Sequence, residues 1–255
     1  ILVAEDGLVN QKLVRELLQK QGHRVTIVGN GKDAVDRCSS DPPDIVLMDI
    51  QMPVMDGLEA TKQIRIHEAS SGGHVPIVAM TAHAMKGDRE RCLSVGMDRY
   101  VSKPLRAHEL FDAMAAALGH AVAGTRVDTD VASEENQQPQ LEDRVEWHIA
   151  LEAVNGDADT LKAVLDAHLE ETPRLLNEMH GAIAAGDGEL LQRAAHTLKS
   201  QLRLFGAMAA CELAWQLEQA GGSQQFSDAP SKLEELERRV KPFNDALAES
   251  PIPGA

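Results

Sequence analysis

The sequence has few cysteines, no long apolar run and no recognisable leader. Its three cysteines lie far apart and form no Cys-x-x-Cys pair, which argues against a disulfide framework or a zinc site and fits a reducing compartment. No segment approaches the ~20 apolar residues of a membrane span, and no basic stretch followed by an apolar one opens the chain. We therefore expect a cytoplasmic segment without direct membrane contact. Because the chain starts at Ile1 in strand-like sequence, we expect it to be part of a longer protein, which can carry a membrane tether.

Lysine and arginine are scarce in the second half of the chain. Residues 119–255 hold 11 of them against 24 aspartates and glutamates, whereas residues 1–118 hold 14 against 16. Because an acidic surface is repelled by phosphate backbones and anionic membranes, we expect no nucleic-acid partner and no DNA-binding output domain. The expected partners are proteins and small ions.

Residues 1–118 alternate between short apolar runs and amphipathic stretches. The apolar runs are 1–4, 25–28, 44–49, 76–80 and 100–101, and the helical patterns are 8–21, 32–38, 58–67, 84–95 and 107–118. Short apolar runs bounded by turn residues are typical of strands that are buried on both faces. The pattern predicts an α/β domain with a doubly wound, flavodoxin-like sheet of five parallel strands in the order 2-1-3-4-5.

The remaining sequence contains no strand signal. Residues 119–140 lack an apolar period and are interpreted as a flexible linker. Residues 141–250 show helical periods at about 143–154, 157–185, 187–204, 207–220 and 228–249. Short connections between long amphipathic helices predict an all-α antiparallel four-helix bundle, with a kink or a break at Pro173.

Polar side chains stand at the ends of the predicted strands. Glu5 and Asp6 follow the first strand and Asp49 ends the third, which is its neighbour in the predicted order, so these carboxylates should share one cleft. Carboxylates brought together repel each other unless a cation is present, and oxygen ligands of this kind suit Mg²⁺. Thr81 and Lys103 end the fourth and fifth strands. This set matches the needs of phosphoryl transfer, with Asp49 as nucleophile, Thr81 as hydrogen-bond donor and Lys103 as a neutralising charge.

The first 118 residues resemble the receiver domain of two-component signalling. The motifs are Glu5-Asp6, Asp49 with Met52-Pro53 and Asp56-Gly57 after it, Thr81-Ala82, and Tyr100 three residues before Lys103-Pro104. The resemblance implies that Asp49 accepts the phosphoryl group and that Thr81 and Tyr100 shift on phosphorylation. It also implies a cis peptide bond between Lys103 and Pro104.

The same resemblance implies a magnesium site. Its ligands would be Asp6, Asp49 and the backbone carbonyl of Gln51, with Glu5 assisting through water. A rival class, the haloacid-dehalogenase-like phosphatases, needs a second aspartate two residues after the nucleophile, and here that position is Gln51. That class is therefore not favoured.

The whole chain has ten histidines, and His196 in the second half differs from the other nine. On its helix, Leu191, Ala195, Leu198, Leu202 and Phe205 form the apolar stripe. His196 falls on the opposite face, which we expect to be solvated, with Arg193 and Lys199 one turn away on either side. Nearby cations favour the neutral, nucleophilic ring and would steady a phosphoryl group. No acidic partner is spaced for a catalytic triad, and an ordinary surface histidine stays the alternative.

The surroundings of His196 resemble the histidine phosphotransfer (HPt) domain, a helical bundle whose exposed histidine carries phosphate. The matching sequences are Ala195-His196-Thr197-Leu198-Lys199-Ser200 and Leu204-Phe205-Gly206-Ala207. The family usually has glycine after the lysine, where this chain has Ser200. Since serine is small, we expect it to be tolerated and to affect the choice of partner rather than the fold.

A receiver followed by an HPt domain is the arrangement at the C-terminal end of hybrid sensor histidine kinases. The resemblance implies a phosphorelay in which an upstream histidine kinase domain phosphorylates Asp49, Asp49 exchanges phosphate with His196, and His196 serves a downstream response regulator receiver. Flow in the reverse direction is one alternative, and an interaction module controlled by phosphorylation is another. The sequence lacks a glycine-rich nucleotide-binding stretch, so we expect phosphotransfer without ATP-dependent kinase activity in this segment.

Overall fold

The first half of the chain folds into a sheet covered by helices. The computed structural model describes residues 1–81, 86–119 and 143–254. The elements up to residue 119 are β1 (Leu2–Ala4), α1 (Leu8–Lys20), β2 (Thr26–Val28), α2 (Gly31–Ser40), β3 (Val46–Asp49), α3 (Gly57–Ser71), β4 (Ile77–Thr81), α4 (Lys86–Ser94), β5 (Arg99–Ser102) and α5 (Ala107–Ala117). The alternation predicted from the sequence is confirmed, with boundaries that move by a few residues.

All strand pairs are parallel and the sheet order is β2-β1-β3-β4-β5, so the predicted order 2-1-3-4-5 is confirmed. β1, β3 and β4 are buried along their whole length, whereas β2 at the edge is partly exposed. Ala4 of β1 pairs with Met48 of β3, so the carboxyl ends of these two strands lie side by side. Ligands of open parallel sheets bind at such a position.

The connection after β3 brings a helix unusually close to the end of the strand. Asp56 caps α3 by accepting a hydrogen bond from the backbone N–H of Glu59 at 2.7 Å. At the next residue, Gly57, an added Cβ would lie 2.0 Å from the carbonyl oxygen of Asp49. Because such a contact is sterically forbidden, only glycine lets α3 start directly beside the end of β3.

The described part of the second half consists of helices, their connections and one isolated antiparallel bridge between Asp143 and Ala207. It contains the short α6 (Trp147–Ala153) and four long helices, α7 (Ala158–Ala185), α8 (Gly188–Phe205), α9 (Met208–Ser223) and α10 (Ala229–Glu249). The long helices pack α7 on α8, α8 on α9, α9 on α10 and α10 on α7, which is the predicted four-helix bundle. Left-handed glycines at 186 and 206 end α7 and α8. α7 continues through Pro173 as one helix, so the chain does not break there.

The two halves pack against each other. α1 of the sheet domain lies on α7 of the bundle, and the buried side chains of α1, α5 and the bundle helices belong to one hydrophobic cluster. Most of the predicted linker, residues 119–140, falls on residues 120–142, which lie outside the described residues. Within the described ranges, no helix combines the length and the apolarity needed to cross a membrane.

Candidate functional site

Three carboxylates meet at the carboxyl end of the sheet. Asp49 is the last residue of β3, and Glu5 and Asp6 follow β1 directly. One carboxylate oxygen from each of the three lies within 4.8 Å of the others. Glu5 and Asp49 are buried and Asp6 is partly exposed. The structure thus brings together the acidic residues that the sequence analysis selected.

Lys103 forms ion pairs with two of these carboxylates. Its Nζ lies 2.7 Å from Oε2 of Glu5 and 2.7 Å from Oδ2 of Asp49, and its side chain is 2% exposed. Its backbone N–H donates to the carbonyl of Thr81 at 2.7 Å, which holds the end of β5 against β4. The Lys103-Pro104 peptide bond is cis, as the receiver resemblance implied.

Burial and mutual repulsion change the acidity of the cluster. Burial raises the pKa of Asp49, and the neighbouring Glu5 raises it further, against the opposing effect of Lys103. Burial, together with Glu5, raises the pKa of Asp6 to about 6. Burial by itself would lower the pKa of Lys103, but Asp49 and Glu5 outweigh it, so this pKa lies above its usual value. A second positive charge would therefore be stabilised among these carboxylates.

The donor atoms of the cluster fit a hard divalent cation. Carboxylate oxygens are the ligands that such cations prefer. The backbone N–H of Gln51 donates to Oδ1 of Asp49 at 3.3 Å, which places this residue next to the cluster. Its side-chain Oε1 is buried, and none of the described residues donates a hydrogen bond to it. The three clustered carboxylates themselves are the donor set that is consistent with a cation site.

Thr81 and Tyr100 lie on β4 and β5, the two strands that follow β3 in the sheet. Thr81 ends β4, is buried and pairs in register with Ser102 of β5. Tyr100 lies within β5, is partly buried, and has the guanidinium of Arg89 at 5.5 Å from its ring centre. The two residues have the places that the sequence analysis gave them, and their movement on phosphorylation stays a prediction.

His196 occupies a polar site in α8 that differs from the predicted one. Its side chain is 7% exposed, and its Nδ1 lies 2.7 Å from Oε1 of Glu218 on α9. The other oxygen of Glu218 accepts a hydrogen bond from Nζ of Lys199, which is also buried. The predicted solvated face is therefore wrong, because α9 supplies a carboxylate on one side and the sheet domain packs on the other.

The neighbours of His196 set its protonation. Burial lowers the pKa of His196, and Lys103 and Lys199 lower it further, against the hydrogen bond and charge of Glu218. The pKa of His196 is lowered, as predicted, but its main cause is burial rather than the nearby cations. Burial by itself raises the pKa of Glu218, but His196 and Lys199 outweigh it and bring it below its usual value. A neutral ring beside an ionised carboxylate keeps its proton on Nδ1, which leaves the lone pair on Nε2.

Comparison with known proteins matches each half of the chain to one family. Residues 1–115 match the model of the response regulator receiver domain, and residues 163–246 match the model of the Hpt domain. The polar-differentiation response regulator DivK of Brucella anthropi is 37% identical over 121 residues, which are 48% of this chain and 97% of DivK. The chain belongs to the receiver family and carries an Hpt domain.

Two longer relatives match this chain over part of their length. Hybrid signal transduction histidine kinase I of Dictyostelium discoideum is 51% identical over 117 residues, which are 44% of this chain and 7% of that protein. Signal transduction histidine-protein kinase BarA of Escherichia coli is 29% identical over 239 residues, or 93% of this chain and 26% of BarA. The chain thus spans only 7% of the first kinase's length and about a quarter of the second's.

The receiver and the Hpt domain approach each other around their polar sites. Nε of Arg193, in the Hpt helix α8, lies 4.0 Å from Oδ2 of Asp6 in the receiver. An added Cβ at Gly7 of the receiver would lie 3.1 Å from the methyl carbon of Thr197, the residue after His196. The charge of Lys103 also acts on His196. The receiver's acidic cluster and the Hpt histidine therefore face the same interdomain surface.

Sequence reasoning missed two buried glutamates of the Hpt domain. Glu218 continues the buried stripe of Ala214 and Leu217 on α9, and Glu171 lies on the buried stripe of α7. A carboxylate at a core position of an amphipathic helix is rarely fully buried without a partner. That mismatch is the signal that could have identified both residues.

Proposed function

We propose that Asp49 and His196 are the two phosphoryl-carrying residues of a phosphorelay, and that the docked arrangement is the one in which they exchange phosphate. The observation that carries the proposal is the shared surface, with Arg193 of the Hpt domain beside Asp6 of the receiver and Lys103 acting on His196. We assign residues 1–118 to the receiver, 119–140 to the linker and 141–250 to the Hpt domain. The family matches at 1–115 and 163–246 support this division.

Asp49 accepts the phosphoryl group first. A carboxylate oxygen of Asp49 forms a bond to phosphorus while the bond from phosphorus to the nitrogen of an upstream phosphohistidine breaks, and the electron pair returns to that imidazole. Lys103, held between Glu5 and Asp49, supplies positive charge next to the transferred group. Thr81, at the end of the adjacent strand, is placed to donate a hydrogen bond to a phosphoryl oxygen.

A divalent cation belongs to this pocket. We assign Mg²⁺ to Glu5, Asp6 and Asp49, with the backbone carbonyl of Gln51 as a further ligand, because hard oxygen donors suit it. When bound, it neutralises negative charge on the phosphoryl group. The chain's own carboxylates hold and orient it. Burial, and then repulsion by Glu5, raise the pKa values of Asp6 and Asp49, and a bound cation would favour their ionised forms.

His196 takes the phosphoryl group from Asp49. Nε2 attacks phosphorus, the bond to the Asp49 oxygen breaks, and the carboxylate is regenerated. Oε1 of Glu218 accepts a hydrogen bond from Nδ1–H of His196, with 2.7 Å between oxygen and nitrogen, and its charge stabilises the positive charge that develops on the ring. Lys199 is paired with the same glutamate, so it fixes Glu218 besides contributing its own charge near the phosphoryl group.

The partners follow from this chemistry. Asp49 needs a histidine kinase domain as its source of phosphohistidine, and His196 serves the receiver of a downstream response regulator. An acyl phosphate and a phosphohistidine are both high-energy species, so flow from a downstream regulator back to Asp49 uses the same contacts. A module in which phosphorylation controls docking alone predicts no phosphate on His196.

Labelled-phosphate transfer in the intact chain tests the relay. A labelled small acyl phosphate should phosphorylate Asp49, and alkali-stable label should then appear on His196. His196→Gln should leave the label on Asp49, and Asp49→Asn should prevent labelling of His196 by this donor. The exposed His180, which pairs with Glu237, provides the control His180→Gln. If His196→Gln transfers label like this control, the proposed relay is wrong.

A further inference from the structure

The first helix of the receiver begins without a cap of its own. The N-cap residue of α1 is Gly7, which has no side chain to accept a hydrogen bond. The first N–H groups of a helix have no partner within the helix and require one from elsewhere. Here the N–H groups of Leu8 and Val9 donate to Oε1 and Oε2 of Glu171, at 3.1 and 3.3 Å. Glu171 belongs to α7, so the Hpt domain caps the receiver helix.

Glu171 is held firmly on its own side of the interface. Its side chain is fully buried. Oε1 also accepts a hydrogen bond from Arg174 at 2.8 Å, and Oε2 accepts one from Nε2 of Gln201 at 2.7 Å. Each oxygen thus receives one hydrogen bond from each domain. A buried carboxylate needs such donors, and separating the domains removes two of the four.

A series of hydrogen bonds in the bundle core orients Gln201. Its Oε1 lies 3.0 Å from Nδ1 of His168, whose Nε2 lies 3.1 Å from the amide of Asn244. Because Nε2 of Gln201 donates to Glu171, its oxygen faces His168, and Nδ1 of His168 carries the proton. The carboxylate of Glu171 is therefore preoriented from within the Hpt domain.

We propose that Glu171 is a positioning residue for the exchange between Asp49 and His196, and that it docks a receiver by capping α1. Leu8 lies two residues after Asp6, and Gln201 lies on the same helix as His196. The contact through Glu171 therefore links the rim of the acidic cluster to the histidine helix. The role in transfer rests on the proposed relay, whereas the docking role does not.

This contact also defines the receivers that the Hpt domain fits. A suitable receiver presents free N–H groups at the start of α1 and a small, uncapped residue at the position of Gly7. A receiver with aspartate or asparagine there would satisfy the same N–H groups internally. Aspartate would in addition repel Glu171. A downstream receiver with an uncapped α1 competes with the attached receiver for Glu171.

Chemical access to His196 measures docking in the intact chain. The exposed His148, with 75% of its side chain accessible, serves as the internal reference for site-resolved modification by diethyl pyrocarbonate. Glu171→Gln replaces one acceptor oxygen by an NH₂ group that repels N–H donors. We expect His196 to react about tenfold faster relative to His148, the change expected from one lost charge-assisted hydrogen bond. Glu170→Gln, at an exposed position of the same helix, is the matched control.

A variant on the receiver side tests the same contact independently of the bundle. Proline is well tolerated at the first position of a helix and removes its N–H group, and Gly7 already has the extended conformation that a following proline requires. Leu8→Pro therefore deletes the donor to Oε1, while Leu8→Ala keeps it. We expect faster modification of His196 in Leu8→Pro than in Leu8→Ala. The double variant Leu8→Pro/Glu171→Gln should show less than the product of the two effects.

The outcomes separate this inference from the relay. Suppose that His196 is modified as fast in Leu8→Pro as in Leu8→Ala, and as fast in Glu171→Gln as in Glu170→Gln. Glu171 then does not dock the receiver. If Glu171→Gln fails to fold, the Leu8 pair alone decides. Labelled transfer from Asp49 to His196 should slow in the variants with faster modification, and an unchanged transfer rate refutes the positioning role. Absence of transfer in the unaltered chain would overturn the relay and leave the docking result standing.

Discussion

The hydrogen bond between Glu218 and His196 makes a strong prediction about the rate of phosphoryl transfer. Glu218→Gln keeps the size of the side chain but removes its charge. The amide oxygen can still accept the Nδ1 proton, but it no longer stabilises the positive charge that develops while Nε2 attacks phosphorus. The protonation of His196 does not compensate, because its pKa already lies below its usual value and the ring is largely neutral at pH 7.

The expected size of the effect follows from the geometry. The bond is 2.7 Å long and its partners are almost fully buried, so it belongs to the charge-assisted class, worth about 1.5–3 kcal/mol. If the transition state loses this stabilisation, phosphoryl transfer becomes slower by about tenfold to a hundredfold. Lys199 would also lose its partner at a site where its side chain is 10% exposed, which lowers the free energy of unfolding by up to about 3 kcal/mol.

The assay is single-turnover transfer of label from Asp49 to His196 in the intact chain, at a temperature where denaturant unfolding shows each variant to be folded. Glu212→Gln, on the same helix and in contact with Gln216 rather than with His196, is the control. Labelling of Asp49 by the small donor should be equal in both variants. A transfer rate in Glu218→Gln within twofold of the control would refute the role given to this carboxylate.

Three further predictions concern acidity, close packing and the cation site. Burial holds the pKa of His168 below that of an unfolded histidine, so the unfolded chain takes up a proton first as the pH falls below about 6.5 and the folded state loses stability there. In urea unfolding, His168→Gln should reduce the pH slope of the unfolding free energy between pH 7 and 5.5 by up to about 1.4 kcal/mol per unit, and an unchanged slope contradicts it. Gly7→Ala should increase the modification of His196 by diethyl pyrocarbonate, because the new methyl group would lie 3.1 Å from the methyl carbon of Thr197. Adding Thr197→Ser, which removes that methyl carbon, should partly reverse the increase. Equal modification of His196 in Gly7→Ala with and without Thr197→Ser argues against this contact. Asp6→Asn should raise the thermal stability of the metal-free chain, because it removes a largely buried charge that Glu5 also repels. It should weaken Mg²⁺ binding by at least about tenfold in calorimetric titration, with the exposed Asp36→Asn showing neither effect.

Much of the fold was predictable because its signals are local. The apolar run 44–49 ends in Asp49, and the structure buries β3 completely, as expected for a central parallel strand. The helical periods of the second half reappear as α6 to α10 with small shifts at their ends. Pro173 illustrates a limit. Local chemistry disfavours it inside a helix, yet α7 is continuous there. Thr172, directly before it, and Leu175, two residues after it, are buried in the bundle.

The candidate sites were predictable to different degrees. The carboxylate cluster could be inferred because strand ends in a doubly wound sheet converge at one place. The environment of His196 could not, because its helix taken alone presents a polar face. Two partners absent from that helix decide its burial: Glu218 on α9 and the receiver surface around Gly7.

The two domain types, the sheet order and the residues of the acidic cluster could be predicted without coordinates. Apolar periodicity is local, and strand ends of a doubly wound sheet converge in a known way. How the two halves meet could be seen only in the folded chain. Glu171 and Leu8 are 163 residues apart, and no local pattern links a buried glutamate of one helix to the uncapped start of another. Contacts of this kind depend on which surfaces become adjacent on folding, and they place the histidine of the Hpt domain against the receiver.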